Sequence, residues 1–105
     1  KVVFNESNDL IYISRSLIPG SKKQNDQKNQ FYRQVCIYGF SKDHLNAFGA
    51  FNRKSILEEK EDIEILRFFE LSIPIKVFLS RNCGPAVDYP EDIQKVLKYL
   101  KGDKK

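Results

Sequence analysis

The chain has 105 residues, of which 41% are hydrophobic and 30% charged, with a net charge of +4 at neutral pH. That length suits one small domain or part of a larger protein, and the mixture of signs excludes a disordered polar chain. No apolar run approaches the ~18 residues of a spanning helix, and no charged, apolar leader marks secretion, so a cytoplasmic location without membrane insertion is expected.

Taken in chain order, Lys1 to Phe4 and Leu10 to Ser16 are β-rich and flank the polar run "NESND", which predicts two antiparallel strands joined by a tight turn. From Pro19 to Gln30 the residues are polar apart from proline and glycine, which predicts an exposed connection. "FYRQVCIYGF", Phe31 to Phe40, is β-branched and aromatic with one charge, Arg33, and predicts a heavily buried strand covered on both faces. Ser41 reads as the N-cap of a short helix in which Leu45 and Phe48 share a side.

Ser55 and Glu58 form a capping box, predicting a longer helix to about Leu71 on which Glu58, Glu61 and Glu64 recur every third residue. "IPIKVFL", Ile73 to Leu79, predicts a further strand. Pro90, Glu91 and Asp92 open a closing helix whose apolar face is Ile93, Val96, Leu97 and Leu100. The order mixes α and β without repeat or linker, so residues 1–105 are expected to form a single α/β unit, a mixed sheet with helices. It could stand alone or pack against a sheet supplied elsewhere.

Few residues point to chemistry locally. Cys36, Cys83 and the single His44 are too scattered for a zinc site, and a disulfide is not expected in a cytosolic chain. Basic residues lie mainly in one loop, with Lys22, Lys23 and Lys28, and in the tail, with Lys101, Lys104 and Lys105. That is a solvated pattern rather than a nucleic-acid stripe, and no nucleic-acid partner is expected. Asp88 precedes a helix start that Pro90, Glu91 and Asp92 already serve, so it can be a spare cap or a Mg²⁺ ligand. Arg15 and Arg33, in apolar strands, need anionic partners from the protein or from a ligand. Tyr38 is a packing aromatic or a pocket hydroxyl.

Four stretches together resemble the C-terminal half of the sugar-acid cytidylyltransferases, in particular the 3-deoxy-manno-octulosonate (Kdo) cytidylyltransferase family. "KVVFNESNDLIYISRSLIP" is similar to that family's strand–turn–strand ending in S-R-x-x-I-P, "FYRQVCIYGF" to its I-Y-x-(Y/F) strand, "SILEEKEDIEILR" to its S-P-L-E…E-x-L-R helix, and "VDYPEDIQKV" to its V-D-T-P-E-D ending. The resemblance implies a nucleotide-diphospho-sugar transferase-like, Rossmann-type fold that transfers CMP from CTP to the anomeric hydroxyl of an acidic, Kdo-like sugar, releasing pyrophosphate. It implies Mg²⁺ as cofactor and Asp88 as a catalytic, metal-holding carboxylate. It further implies Arg15, Gln34, Tyr38 and Glu64 as sugar-binding residues, and a homodimer built by the strands.

Gln34 stands where the family usually has histidine, Ile65 where it has glutamine and Gly20 where it has tryptophan, so an amino-deoxy relative of Kdo or another ulosonic acid is admissible. The family's nucleotide-binding half has no counterpart, so the chain is expected to be a C-terminal piece, inactive by itself. Two alternatives stay open, a non-catalytic dimerising interaction module and a cytidylyltransferase for sialic-type acids.

Overall fold

The computed structural model describes residues 1–22, 30–81 and 84–102. Strands β1 (Val2–Phe4) and β2 (Leu10–Ile13) pair antiparallel, with Val2 opposite Ile13 and Val3 opposite Tyr12, before an irregularity sets Phe4 opposite Leu10. Asn5 makes the turn: its Oδ1 accepts the N–H groups of Ser7 and Asp9 at 3.0 and 2.8 Å, while Asn8 takes a left-handed φ of 61° that asparagine tolerates. The polar run read from the sequence does fold the hairpin.

Each edge of the hairpin is extended by a single bridge. The Val2 N–H donates to Tyr32 O, and on the other side Leu10 N–H donates to Ile75 O while Val77 N–H donates to Asn8 O. The strand expected at Ile73 to Leu79 is therefore only a contact around Lys76, whose Nζ pairs with Asp9.

The Phe31 to Phe40 strand is corrected by the structure: beyond Tyr32 it forms no ladder, Cys36 turns to φ 61°, and Ile37 is 84% exposed. A strand needs a neighbour to satisfy its backbone and cover its side chains, and among the described residues only β1 offers one. The Pro19 to Gln30 connection lies for the most part outside the described residues, as do Cys83 and the lysines at 23, 28, 104 and 105.

Helix α1 (Lys42–Ala50) starts as the sequence predicts, with Ser41 Oγ accepting the His44 N–H at 3.2 Å. Phe48 packs inward against Phe68, whereas Leu45 stays largely exposed. The single helix expected from Ser55 to Leu71 is broken instead. Helix α2 (Ile56–Glu61) ends at Asp62 in the left-handed conformation, Ile63 is extended, and a 3-10 turn (Glu64–Leu66) leads into the short α3 (Arg67–Glu70).

The break is what forms the core. It turns Ile65, Leu66 and Phe68 onto the hairpin residues Val2, Leu10 and Ile13, and Leu66 becomes fully buried. An unbroken helix would spread these residues along a rod away from the small sheet.

Helix α4 (Asp92–Leu100) carries the predicted apolar stripe, yet Ile93, Leu97 and Leu100 are exposed. The segment is anchored at Gly84, whose carbonyl accepts Arg33 Nη2 at 2.8 Å and whose Cα faces the Tyr99 ring.

The accessible surface is 8946 Å², against about 6,100 Å² for a folded monomer of this mass, and the radius of gyration is 16.5 Å against about 13 Å.

Candidate active site

The three glutamates that a continuous helix would have set in a drifting row are sent by the break to three different tasks. Glu58 closes the capping box, accepting the Ser55 N–H at 3.1 Å, and is then gripped by Arg67, whose Nε and Nη2 reach its two oxygens at 2.8 and 2.7 Å. Glu58 is 1% exposed, and Arg67 lies 4.0 Å above the Phe48 ring. The Arg67 hydrogen bonds hold the Glu58 carboxyl below its ordinary range against the opposing pull of burial, with the Ser55 N–H adding to them. The arginine is raised for the same reason.

Glu61 faces the end of β2. Its Oε1 accepts Ser14 Oγ at 2.7 Å and Tyr12 Oη at 3.2 Å, and its Oε2 accepts the Arg15 N–H at 3.0 Å. The Arg15 N–H and the Ser14 hydroxyl lower this carboxyl, while burial and the facing carboxylate raise the Tyr12 phenol.

Arg15 itself donates Nε to Glu61 O and Nη2 to Asp62 O at 3.1 Å, and its guanidinium lies 3.8 Å from the Asp62 carboxylate. Its anionic partner is thus found within the protein. It closes the C-terminal end of α2, where carbonyls lack helical donors, and so holds the break. Its side chain is 65% exposed, leaving a cationic rim towards solvent.

Glu64 opens the 3-10 turn and is exposed. Its carbonyl accepts the Arg67 backbone N–H, which ties Glu64 to the turn that carries Arg67. Tyr38 reaches that place through rings: it lies 6.0 Å from Phe40, Phe40 stacks on Phe68 at 5.4 Å, and Phe68 meets Phe48 at 5.2 Å. Burial pushes the Tyr38 hydroxyl up to about 12, with Cys36 and then Glu64 adding to the effect. At neutral pH it is a protonated hydroxyl whose side-chain hydrogen bond is with Cys36, and a group of this kind suits sugar hydroxyls and a carboxylate.

Gln34 is half-buried, and no hydrogen bond joins its side chain to the described residues. Asp88 is exposed at the approach to α4. The turn before the helix is held by Asp92, whose Oδ2 accepts the N–H groups of Asp88 and Tyr89 at 3.3 and 3.1 Å and whose Oδ1 pairs with Lys95 at 2.6 Å, while no side chain caps α4 itself. The Asp88 carboxylate makes no hydrogen bond or ion pair with the described residues.

Among the described residues no group of three or more metal-ligating side chains comes together. As a hard oxygen donor without a partner among the described residues, Asp88 fits one position around Mg²⁺, and the described residues do not complete a set. The structure therefore sets Glu64 on the turn held by Arg67, links Tyr38 to Phe68 through Phe40, commits Arg15 to the α2 terminus and keeps Asp88 on a separate segment.

Sequence reading missed Glu58 and Arg67 as a pair. The arginine sitting in an otherwise apolar turn, "EILRFF", was the available signal.

Comparison with characterised proteins gives the context for this arrangement. Over 101 residues the chain is 38% identical to the 3-deoxy-manno-octulosonate cytidylyltransferase of Leptospira interrogans, covering 96% of this chain and 39% of that protein. The chain is a relative of the 3-deoxy-manno-octulosonate cytidylyltransferases. The protein of the same name from Chlamydia trachomatis is 39% identical over 95% of this chain and 38% of its own length.

The 8-amino-3,8-dideoxy-manno-octulosonate cytidylyltransferase of Shewanella frigidimarina is 37% identical over 90% of this chain and 38% of its own. The resemblance drawn from the four motifs is thus borne out at the level of kinship. The chain spans about two-fifths of the length of these cytidylyltransferases. No family model matches the chain, and no solved structure matches it. Among the described residues no helix is long and apolar enough to cross a membrane.

Proposed function

We propose that the chain serves as the sugar-binding and dimerising part of a cytidylyltransferase that transfers CMP from CTP to the anomeric hydroxyl of Kdo or a closely related ulosonic acid, with release of pyrophosphate. The observation that carries this reading is kinship over 96% of the chain with proteins named for that reaction. In the complete protein this chain would lie against a Rossmann-type nucleotide-binding half. The surplus surface exposes large apolar side chains, Phe78 at 90% and Ile37 at 84%, that such a neighbour or a second copy would cover.

Tyr38 donates to the sugar acid and Glu64 accepts from its hydroxyls, while Gln34 offers an amide donor and acceptor and the exposed rim of Arg15 contributes positive charge at long range. Asp88 would supply one carboxylate to Mg²⁺, and the set would need completing from outside the described residues. The ion, when bound, neutralises charge on the phosphates undergoing transfer. Because the Asp88 carboxylate makes no hydrogen bond or ion pair with the described residues, it is available for that task.

The test is pyrophosphate release by the protein expressed from its complete reading frame, given CTP, Mg²⁺ and either Kdo, its 8-amino-3,8-dideoxy analogue or a sialic acid. Turnover with an eight-carbon acid is expected, and negligible turnover by the 105-residue chain alone. Turnover with sialic acid only, or with none of the three, overturns the reading. The second outcome favours a non-catalytic interaction module, to which the same surplus surface is suited.

A further inference from the structure

The Glu58–Arg67 pair lies outside the groups assigned to the sugar, yet both Tyr38 and Glu64 hang from it. On one side Arg67 belongs to the turn that carries Glu64, its backbone N–H closing on the Glu64 carbonyl. On the other side its guanidinium lies on Phe48, and the ring series Phe48, Phe68, Phe40 leads from there to Tyr38. A two-pronged guanidinium–carboxylate contact fixes orientation as well as distance, which a single contact does not. The Glu58 end is immobile, because its carboxylate is buried and also holds the Ser55 N–H.

We propose that Arg67, clamped by Glu58 and laid on Phe48, is a positioning residue that holds both the turn bearing Glu64 and the ring series leading to Tyr38, and so governs affinity for the sugar acid. This rests on the reading of Tyr38 and Glu64 as sugar-binding groups. It assigns no contact between Arg67 and substrate. The pair acts on the sugar side alone, since it touches neither Asp88 nor any residue of that segment.

The experiment compares Arg67→Met and Arg67→Lys with the wild type, in the protein expressed from its complete reading frame and at a temperature where circular dichroism shows all three folded. The lysine variant keeps a cation but cannot make the two parallel bonds, and it guards against loss of folding in the methionine variant. One readout is the NMR titration of Tyr38, labelled with ¹³C in its ring and assigned through Tyr38→Phe. Its midpoint should fall from about 12 towards the ordinary value near 10, further in Arg67→Met than in Arg67→Lys.

The other readout is steady-state kinetics. KM for the sugar acid should rise by about tenfold to a hundredfold, a typical result of displacing a positioned group, while KM for CTP stays unchanged. A folded variant with Tyr38 titrating as in the wild type and an unaltered sugar KM overturns the proposal, and so does an equal rise in both KM values. If the wild type turns over no sugar, the functional reading fails by itself, and the Tyr38 titration alone decides the positioning role.

Discussion

Arg67 grips Glu58 with two hydrogen bonds of 2.8 and 2.7 Å, in a place where the glutamate side chain is 2% and the arginine side chain 14% exposed. Such a pair is costly to bury and costlier to break, since removing one partner leaves a desolvated charge. Arg67→Met should therefore destabilise the folded protein by about 3 kcal/mol at neutral pH, measured as a fall in the urea midpoint.

The same pair predicts a pH dependence. Because Arg67 lowers the Glu58 carboxyl, the folded chain binds fewer protons than the unfolded one. The stabilisation is then complete above the unfolded value of 4.5 and is lost as pH falls through the lowered folded value. The gap between wild type and Arg67→Met should accordingly narrow from pH 6 to pH 3. A gap of constant size over that range would show that the ion pair is not its source.

Asp88 and Asp92 stand four residues apart and should separate in mutagenesis. Asp88→Asn is expected to lower Mg²⁺-dependent turnover of the complete protein by about a hundredfold and to leave the melting temperature unchanged. Asp92→Ala should reduce far-UV helical signal, because it removes the acceptor of the Asp88 and Tyr89 N–H groups. Parallel losses of turnover and stability in Asp88→Asn would make Asp88 a structural residue.

Gly84 has φ +81°, and an added methyl group would lie 2.7 Å from the Tyr99 ring. Gly84→Ala should cost about 1 kcal/mol from backbone strain and more from the ring contact, loosening α4 from the rest of the chain. A Gly84→Ala, Tyr99→Ala double variant removes the ring contact but keeps the backbone strain. Hydrogen exchange of the α4 amides measures both, and unchanged protection in Gly84→Ala would refute the contact.

Ile37 and Phe78 are 84% and 90% exposed on segments that engage the hairpin by one bridge each. The isolated chain should therefore self-associate in sedimentation runs at rising concentration, and Ile37→Lys with Phe78→Lys should shift it towards monomer. Monomeric sedimentation of the unaltered chain at high concentration would remove these segments as an interface.

The misread elements share a cause. "FYRQVCIYGF" has strand composition, but composition states only that a residue suits a covered pleat and does not supply the cover. The α4 stripe is as amphipathic as its spacing requires, yet Ile93, Leu97 and Leu100 have nothing to lie on. The helix from Ser55 was read as continuous because its spacing is helical throughout. Asp62 interrupts it because Arg15, 47 residues earlier in the chain, takes the carbonyls at that point.

The sequence by itself determined the features made within one turn of backbone: the Asn5 turn, the Ser41 cap, the Ser55–Glu58 box and the acidic start of α4. In each of these a short polar side chain meets an N–H group at most four residues away, so chain connectivity alone brings the partners together. Only the tertiary structure decided which glutamate serves which partner. Glu58 went to Arg67, Glu61 to the end of β2 and Glu64 to the exposed side of the 3-10 turn, because those assignments depend on where a helix breaks and what it then packs against.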